Sequence, residues 1–172
     1  RVRQRANDIF LHAIATGSAE NNPAAGLHKA VKTAPAQHRP ALHPSELREF
    51  FIRLDAVRVS KMVKNAVLLQ VLTFLRPGEL RGARWAEIDL QAGVWVVPAE
   101  RDRSRGLVGM KMRESHTVSL SSQAVDVLRA LHEITGNRDL VFPNRNDPRR
   151  PMSDGTVNSA LRAMGYAGDE VT

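Results

Sequence analysis

The apolar positions of this chain change period along its length, and the changes divide it. Val2, Ala6, Ile9, Phe10 and Ala13 fall on one helical stripe that Gly17 is placed to stop. One amphipathic helix cannot bury its own apolar face. Residues 1–34 therefore read as the end of a helical domain whose other helices are absent, with Asn22-Pro23 as a turn. His43-Pro44-Ser45-Glu46 has the proline and first-turn acid of a helix start, and Leu47, Phe50, Phe51 and Leu54 follow as its core face. A second helix is predicted from about Ser60 to Leu75. Val63, Val67, Leu68, Leu69, Val71, Leu72, Phe74 and Leu75 make it apolar around most of its circumference, the pattern of a central buried helix.

The near-uncharged run then meets Arg76 in a turn made by Pro77 and Gly78, and a short helix through Leu80 and Ala83 is predicted to end near Trp85. Beyond it the period becomes two. Ile88 to Leu90 and Val94 to Val97 flank a Gln91-Ala92-Gly93 turn, and Val108–Met112 and His116–Leu120 are two further strand candidates. Helical spacing returns at Ala124, Leu128, Leu131 and Ile134, capped by Ser121 or Ser122 and closed by Gly136. Leu140 to Pro143 reads as a short extended segment and Asn144 to Pro151 as a polar loop. Ser153 is placed to cap a last helix with Val157, Leu161 and Met164 inward and Gly165 at its end. The expected fold class is mixed α+β, mainly helical, with a small antiparallel sheet and a basic hairpin.

Composition narrows the partners. The chain has 172 residues and no cysteine, which removes disulfides and thiolate metal sites and fits a reducing compartment. No apolar run reaches the roughly 18 residues of a membrane span. The net charge is +7, with arginine commoner than lysine, and the guanidinium fork matches phosphate oxygens bidentately. A basic protein that merely repels its own copies is the plain alternative. Residues 27–45 contain no acid but hold Lys29, Lys32 and Arg39 with three histidines and three prolines. That stretch reads as a strap over a phosphate backbone or as a solvated tether, and its histidines lack metal-ligand spacing.

Arg76 and Lys111 are the pair with candidate chemistry. One stands at a helix-to-helix junction where backbone N–H groups and a guanidinium converge on an anion, and the other on a cation-rich hairpin. Two cations with no intervening carboxylate point to a phosphodiester, with Glu79 orienting Arg76. The one tyrosine, Tyr166, reads as a ring packed against a helix end. There is no Gly-x-Ser-x-Gly elbow, no Walker loop and no acidic cluster for a divalent metal.

Leu72-Thr73-Phe74-Leu75-Arg76-Pro77-Gly78-Glu79-Leu80 with Arg84-Trp85 resembles the first catalytic arginine box of the tyrosine recombinases, in the form used by bacteriophage-type integrases. Met110-Lys111-Met112-Arg113 before His116-Thr117-Val118-Ser119-Leu120 resembles the lysine-bearing hairpin of that group. Val141-Phe142-Pro143, Pro151-Met152-Ser153 and Met164-Gly165-Tyr166 follow its order. The hairpin is longer than the group's, with Arg101 to Gly109 ahead of Lys111, and Ser119 stands where proline is usual.

The resemblance implies an end of a core-binding helical domain over 1–34, a basic linker over 35–43 and a partial catalytic domain over 44–172. It implies a tyrosine that attacks the scissile DNA phosphate to form a 3′-phosphotyrosyl link, so that strands exchange without metal, ATP or other cofactor. Arg76 is then the first arginine, stabilising the charged transition state, and Lys111 the acid that protonates the leaving 5′-oxygen. Lys29, Lys32, Arg39, Arg81, Arg84, Arg113 and His116 are the expected contacts to double-stranded DNA. The family works as a homotetramer on an attachment site, here expected in a bacterial cytoplasm at the nucleoid.

The His-x-x-Arg box and the tyrosine nucleophile would follow Thr172. The chain is therefore expected to be a C-terminally truncated fragment that binds DNA and does not cut it, within a parent that integrates DNA by site-specific recombination. A non-catalytic DNA-binding module with Arg76 as a phosphate clamp is the alternative, and a protein-interaction fragment with incidental charge a second.

Overall fold

The computed structural model describes residues 2–27, 41–110 and 114–167. It divides into two compact units, Arg1–His38 and Arg39–Thr172. In the first, α1 (Val2–Ala15) is a helix followed by Gly17 in the left-handed region at φ 72°. None of its residues is buried, and Val2 and Ile9 of the apolar stripe are 85% and 66% exposed. Asn22 folds the following turn back onto it, donating from Nδ2 to Asn7 Oδ1 at 3.0 Å. Lys29, Lys32 and Arg39, with most of the expected linker, lie outside the described residues.

The second unit opens with a 3-10 turn at Pro44–Glu46, where Glu46 Oε2 accepts the His43 N–H at 2.6 Å. The acid thus satisfies the N-cap amide, which at a helix start has no partner within the helix. Helix α2 (Leu47–Ala56) buries Phe50 and Leu54. Leu47 and Phe51, expected on the same face, stand at its rim because that stripe is wider than the surface it packs on; they are 38% and 39% exposed. Helix α3 (Lys61–Thr73) begins at Ser60, whose Oγ accepts from the Val63 N–H at 3.3 Å. It is central, as its all-round apolar pattern predicts. Ala66 and Leu69 enter one core cluster with Trp95, Leu128, Leu131 and Phe142, whereas Val67 enters a second with Phe50, Leu54, Leu161 and Tyr166.

Helix α4 (Pro77–Arg81) leads to a three-stranded antiparallel sheet in the order β1 (Ile88–Asp89), β2 (Val94–Val97), β3 (His116–Ser119). Trp95 pairs with Ile88 on one side and Val118 on the other, and Trp95 and Val97 face inward while Val96 faces out. Asp89 Oδ1 caps the first turn by accepting from Gln91 and Ala92 N–H. The expected strand over Val108–Met112 does not form over 108–110, and the rest lies outside the described residues. Asp102 instead caps a 3-10 turn at Arg103–Arg105 that Gly106 ends at φ 76°, and Met110 makes a backbone bond to Pro98 O at 3.2 Å.

Helix α5 (Ser122–Thr135) is capped by Ser121 Oγ and buries Ala124, Leu128 and Leu131. Ile134, expected in that stripe, is 46% exposed. Leu140, Val141 and Phe142 are fully buried in extended form, pairing at Arg84↔Leu140 and Pro143↔Pro151. Helix α6 (Thr156–Ala163) has Gly155 at its cap. The Ser153 hydroxyl turns to Asp154, and only the Ser153 carbonyl accepts from Thr156 N–H. Gly165, at φ 90°, ends the last turn as expected. No helix of the described residues is long and apolar enough to cross a membrane.

Candidate nucleic-acid interface

The junction between α3 and α4 is built from the back. Thr73 Oγ1 donates to Leu69 O at 2.7 Å, closing α3, and Phe74 then turns the chain through the left-handed region at φ 53°. Leu75 plugs the core at 3% exposure, with Gln70 Nε2 bonded to its carbonyl. Arg76 follows in extended form as the cap of α4. Glu79, three residues on and 3% exposed, reaches back with both carboxylate oxygens. One accepts the Arg76 backbone N–H at 3.0 Å, and the other pairs with Arg76 Nη1 at 2.8 Å. The Arg76 side chain is 57% exposed against 4% for Glu79, so a cation is held at its inner edge and open at its tip. Glu79 thus pairs with both the backbone N–H and the guanidinium of Arg76. A helix of five residues with proline first has few free N–H groups, so the attraction for an anion rests on the guanidinium rather than on the helix end.

Behind this junction sits a residue that reads in the sequence as one more hairpin cation. The Arg101 side chain is 1% exposed. Its Nε and Nη2 pair with the two oxygens of Glu87 at 2.9 and 2.6 Å, and its Nη1 donates to Glu79 O at 2.7 Å and Val108 O at 3.0 Å. Trp95 Nε1 completes the cluster with a bond to Glu87 Oε2 at 3.2 Å. A buried charge pair is tolerated only when its polar atoms find partners, and here every guanidinium nitrogen of Arg101 and both Glu87 oxygens have at least one. The one sequence signal for it is Gly82, where a Cβ would lie 2.9 Å from Arg101 Nη1.

The other expected contacts divide. Arg81 donates to Met152 O at 2.9 Å and Gly106 O at 3.4 Å, and Arg84 pairs with Asp139 at 2.8 Å, so both guanidinia tie loops of the fold together. His116 is exposed at the start of β3, in register with Val97. Lys111 and Arg113 lie outside the described residues. Arg105, not singled out from the sequence, pairs with Asp139 at 3.1 Å and donates twice to Arg149 O, strapping the β2–β3 connection to the loop before α6. Partial burial pushes the Asp139 carboxyl up, but hydrogen bonds from Arg84 and Arg105 more than offset it and leave its pKa below the ordinary carboxylate value. The Tyr166 ring packs 5.9 Å from Phe50 with the Arg53 guanidinium 5.0 Å over it, and is 8% exposed.

Comparison with known proteins places this arrangement. The phage integrase family matches residues 40–172. The integrase of Enterobacteria phage P4 is 44% identical over 96% of the chain, and the prophage integrase IntA of Escherichia coli (strain K12) is 33% identical over 98%. The chain spans 39% of the length of each. Among solved structures, the Tn1549 transposon integrase in complex with a circular intermediate DNA superposes with a TM-score of 0.70 at 14% identity, covering 93% of this chain and 56% of that one. A lambda integrase tetramer bound to a Holliday junction gives 0.66 at 22% identity, covering 96% and 47%. The chain belongs to the phage integrase family, the bacteriophage-type tyrosine recombinases.

Proposed function

We propose that these 172 residues bind duplex DNA and present Arg76 to the scissile phosphate in a protein that integrates DNA by site-specific recombination. The observation that supports this most is the Arg76 guanidinium, gripped by a buried carboxylate on one edge and open to solvent on the other. Held that way, it has little freedom to lose when it meets a phosphate oxygen, and its charge opposes the negative charge that builds up in phosphoryl transfer. Lys111, on the family pattern, protonates the leaving 5′-oxygen. Residues 1–34, 35–43 and 44–172 are then the end of a core-binding domain, a basic linker and the front of a catalytic domain. The assembly on an attachment site is a homotetramer in the bacterial cytoplasm. The chain contains no His-x-x-Arg sequence, and Tyr166 is packed between Phe50 and Arg53, so the nucleophile of this reading is a tyrosine outside these residues.

The test is covalent capture on a nicked attachment-site duplex by the recombinase that contains this chain. Arg76→Ala is expected to abolish the phosphotyrosyl adduct while leaving DNA affinity mostly intact. An adduct at the parent level in that variant would refute the role of Arg76. No adduct with any variant, alongside salt-sensitive DNA binding, would favour a DNA-binding module without catalysis.

A further inference from the structure

Among the described residues, Phe74 is the most exposed large apolar side chain, at 89%, and the only non-glycine with positive φ. Each feature costs the isolated fold: the ring meets water, and its Cβ crowds the backbone in the left-handed region. Phe51, also at the surface, still rests edge-on against Phe50, with ring centroids 5.5 Å apart. Strained backbone at a residue with a side chain persists only where its surroundings fix it, and such positions cluster at ligand contacts.

The frame that fixes Phe74 also holds Arg76. The Phe74 N–H donates to Gln70 O at 3.1 Å, the Leu75 carbonyl accepts from Gln70 Nε2, and the Arg76 N–H donates to Glu79 Oε2 at 3.0 Å. Leu75 between them enters the core, whereas the ring and the Arg76 side chain both reach solvent. Two residues of chain span at most about 7 Å, on the order of two nucleotide steps of about 3.4 Å along one strand. An uncharged flat ring this close to an open guanidinium matches a polymer in which anionic phosphates alternate with apolar sugar and base edges. We propose that Phe74 is a DNA contact residue, packing on the deoxyribose and base edge of the nucleotide beside the phosphate that Arg76 binds. This rests on the reading of Arg76 as a phosphate contact.

The 172-residue chain itself tests this, with a fluorescent duplex titrated across a series of salt concentrations. Phe74→Asn removes the ring but keeps a residue that adopts the left-handed region readily, so the turn that mounts Arg76 is retained. It is expected to weaken binding about 5- to 10-fold at every salt concentration, the lower part of what a base–aromatic contact contributes. The slope of log K against log salt is expected to stay at the wild-type value, because the ring neutralises no phosphate. Arg76→Ala is expected to flatten that slope by about 0.9, the contribution of one phosphate contact. Phe74→Trp, which keeps an aromatic face, is expected to hold the wild-type affinity. Wild-type affinity in Phe74→Asn overturns the proposal, and a loss of self-association by that variant in sedimentation would then assign the ring to a contact between copies. A flattened slope in Phe74→Asn also overturns it, since the residue would then act only by placing Arg76. Arg76→Ala with a wild-type slope, while Phe74→Asn still weakens binding, refutes the reading of Arg76 and leaves the ring on DNA, which separates the two failures.

Discussion

Phe74 and Leu75 are neighbours in the chain and opposites in the structure: the first is 89% exposed in the left-handed region, the second 3% exposed in the core. Left-handed backbone costs a side-chain-bearing residue roughly 1–2 kcal/mol, and the Phe74 ring gains no burial to offset it. Phe74→Gly is therefore expected to leave the unfolding free energy unchanged or raised by up to about 1 kcal/mol. Leu75→Ala is expected to lower it by roughly 2–5 kcal/mol. Urea unfolding of both variants checks the pair, and a large loss at Phe74→Gly would show that the ring has a partner.

Glycine at 109 is required by space. A Cβ there would meet the Ala99 carbonyl at 2.5 Å and Glu100 Cα at 2.8 Å, both backbone atoms that cannot swing aside. Gly109→Ala is expected to cost roughly 1–3 kcal/mol, whereas Gly26→Ala, with nothing within 4 Å of its Cβ position, is expected to be near neutral. Thermal melts of the two variants make the comparison directly.

Arg81 and Arg84 are expected to matter for stability rather than for DNA. Arg81→Ala strips hydrogen bonds from the Met152 and Gly106 carbonyls, at a cost of roughly 1–3 kcal/mol. Arg84→Ala removes a half-exposed ion pair worth about 0.2–1 kcal/mol. Neither is expected to change the salt slope of duplex binding, which sets them apart from Arg76→Ala. A flattened slope in either would restore it as a phosphate contact.

The Asp139 carboxyl sits below its ordinary value of 3.8 in the folded protein, because Arg84 and Arg105 bind its charged form more strongly than partial burial opposes it. A depressed carboxylate adds stability that is complete above the unfolded value and is lost as pH falls through the folded one. Asp139→Asn is expected to flatten the acid side of the stability curve below about pH 4 and leave its shape above pH 6 unchanged. Stability followed against pH by urea midpoints reads this out, and an unaltered acid limb would show the pairs to be unimportant.

Much of the fold is legible in the sequence because its signals are local. Ser60 and Ser121 sit where their hydroxyls cap helices, Gly17 and Gly165 stop them, and the all-round apolar α3 is the element between the two core clusters. The grip of Glu79 on Arg76 is equally local, three residues apart on one helical turn. What stays hidden is decided by distant partners. Arg101 is indistinguishable in sequence from its neighbours Arg103 and Arg105, and only folding brings Glu87 and two carbonyls around it. Val108 to Met110 has strand-like composition, but it follows the 3-10 turn that Asp102 caps, and its Met110 N–H bonds Pro98 O just past the end of β2 rather than joining the ladder. Phe74 looks like core because its neighbours are, and the end of α3 swings it out.

The chain has two tryptophans, and Trp95, wholly buried, hangs its indole N–H on the same Glu87 oxygen that Arg101 grips. Trp85 stands apart at the His132 ring, 4.8 Å away. With Trp85 replaced by phenylalanine, emission from the buried Trp95 is thus an optical gauge of the surroundings of the hidden clasp: blue while the indole is dry, moving to longer wavelength as water reaches it, with no dye attached.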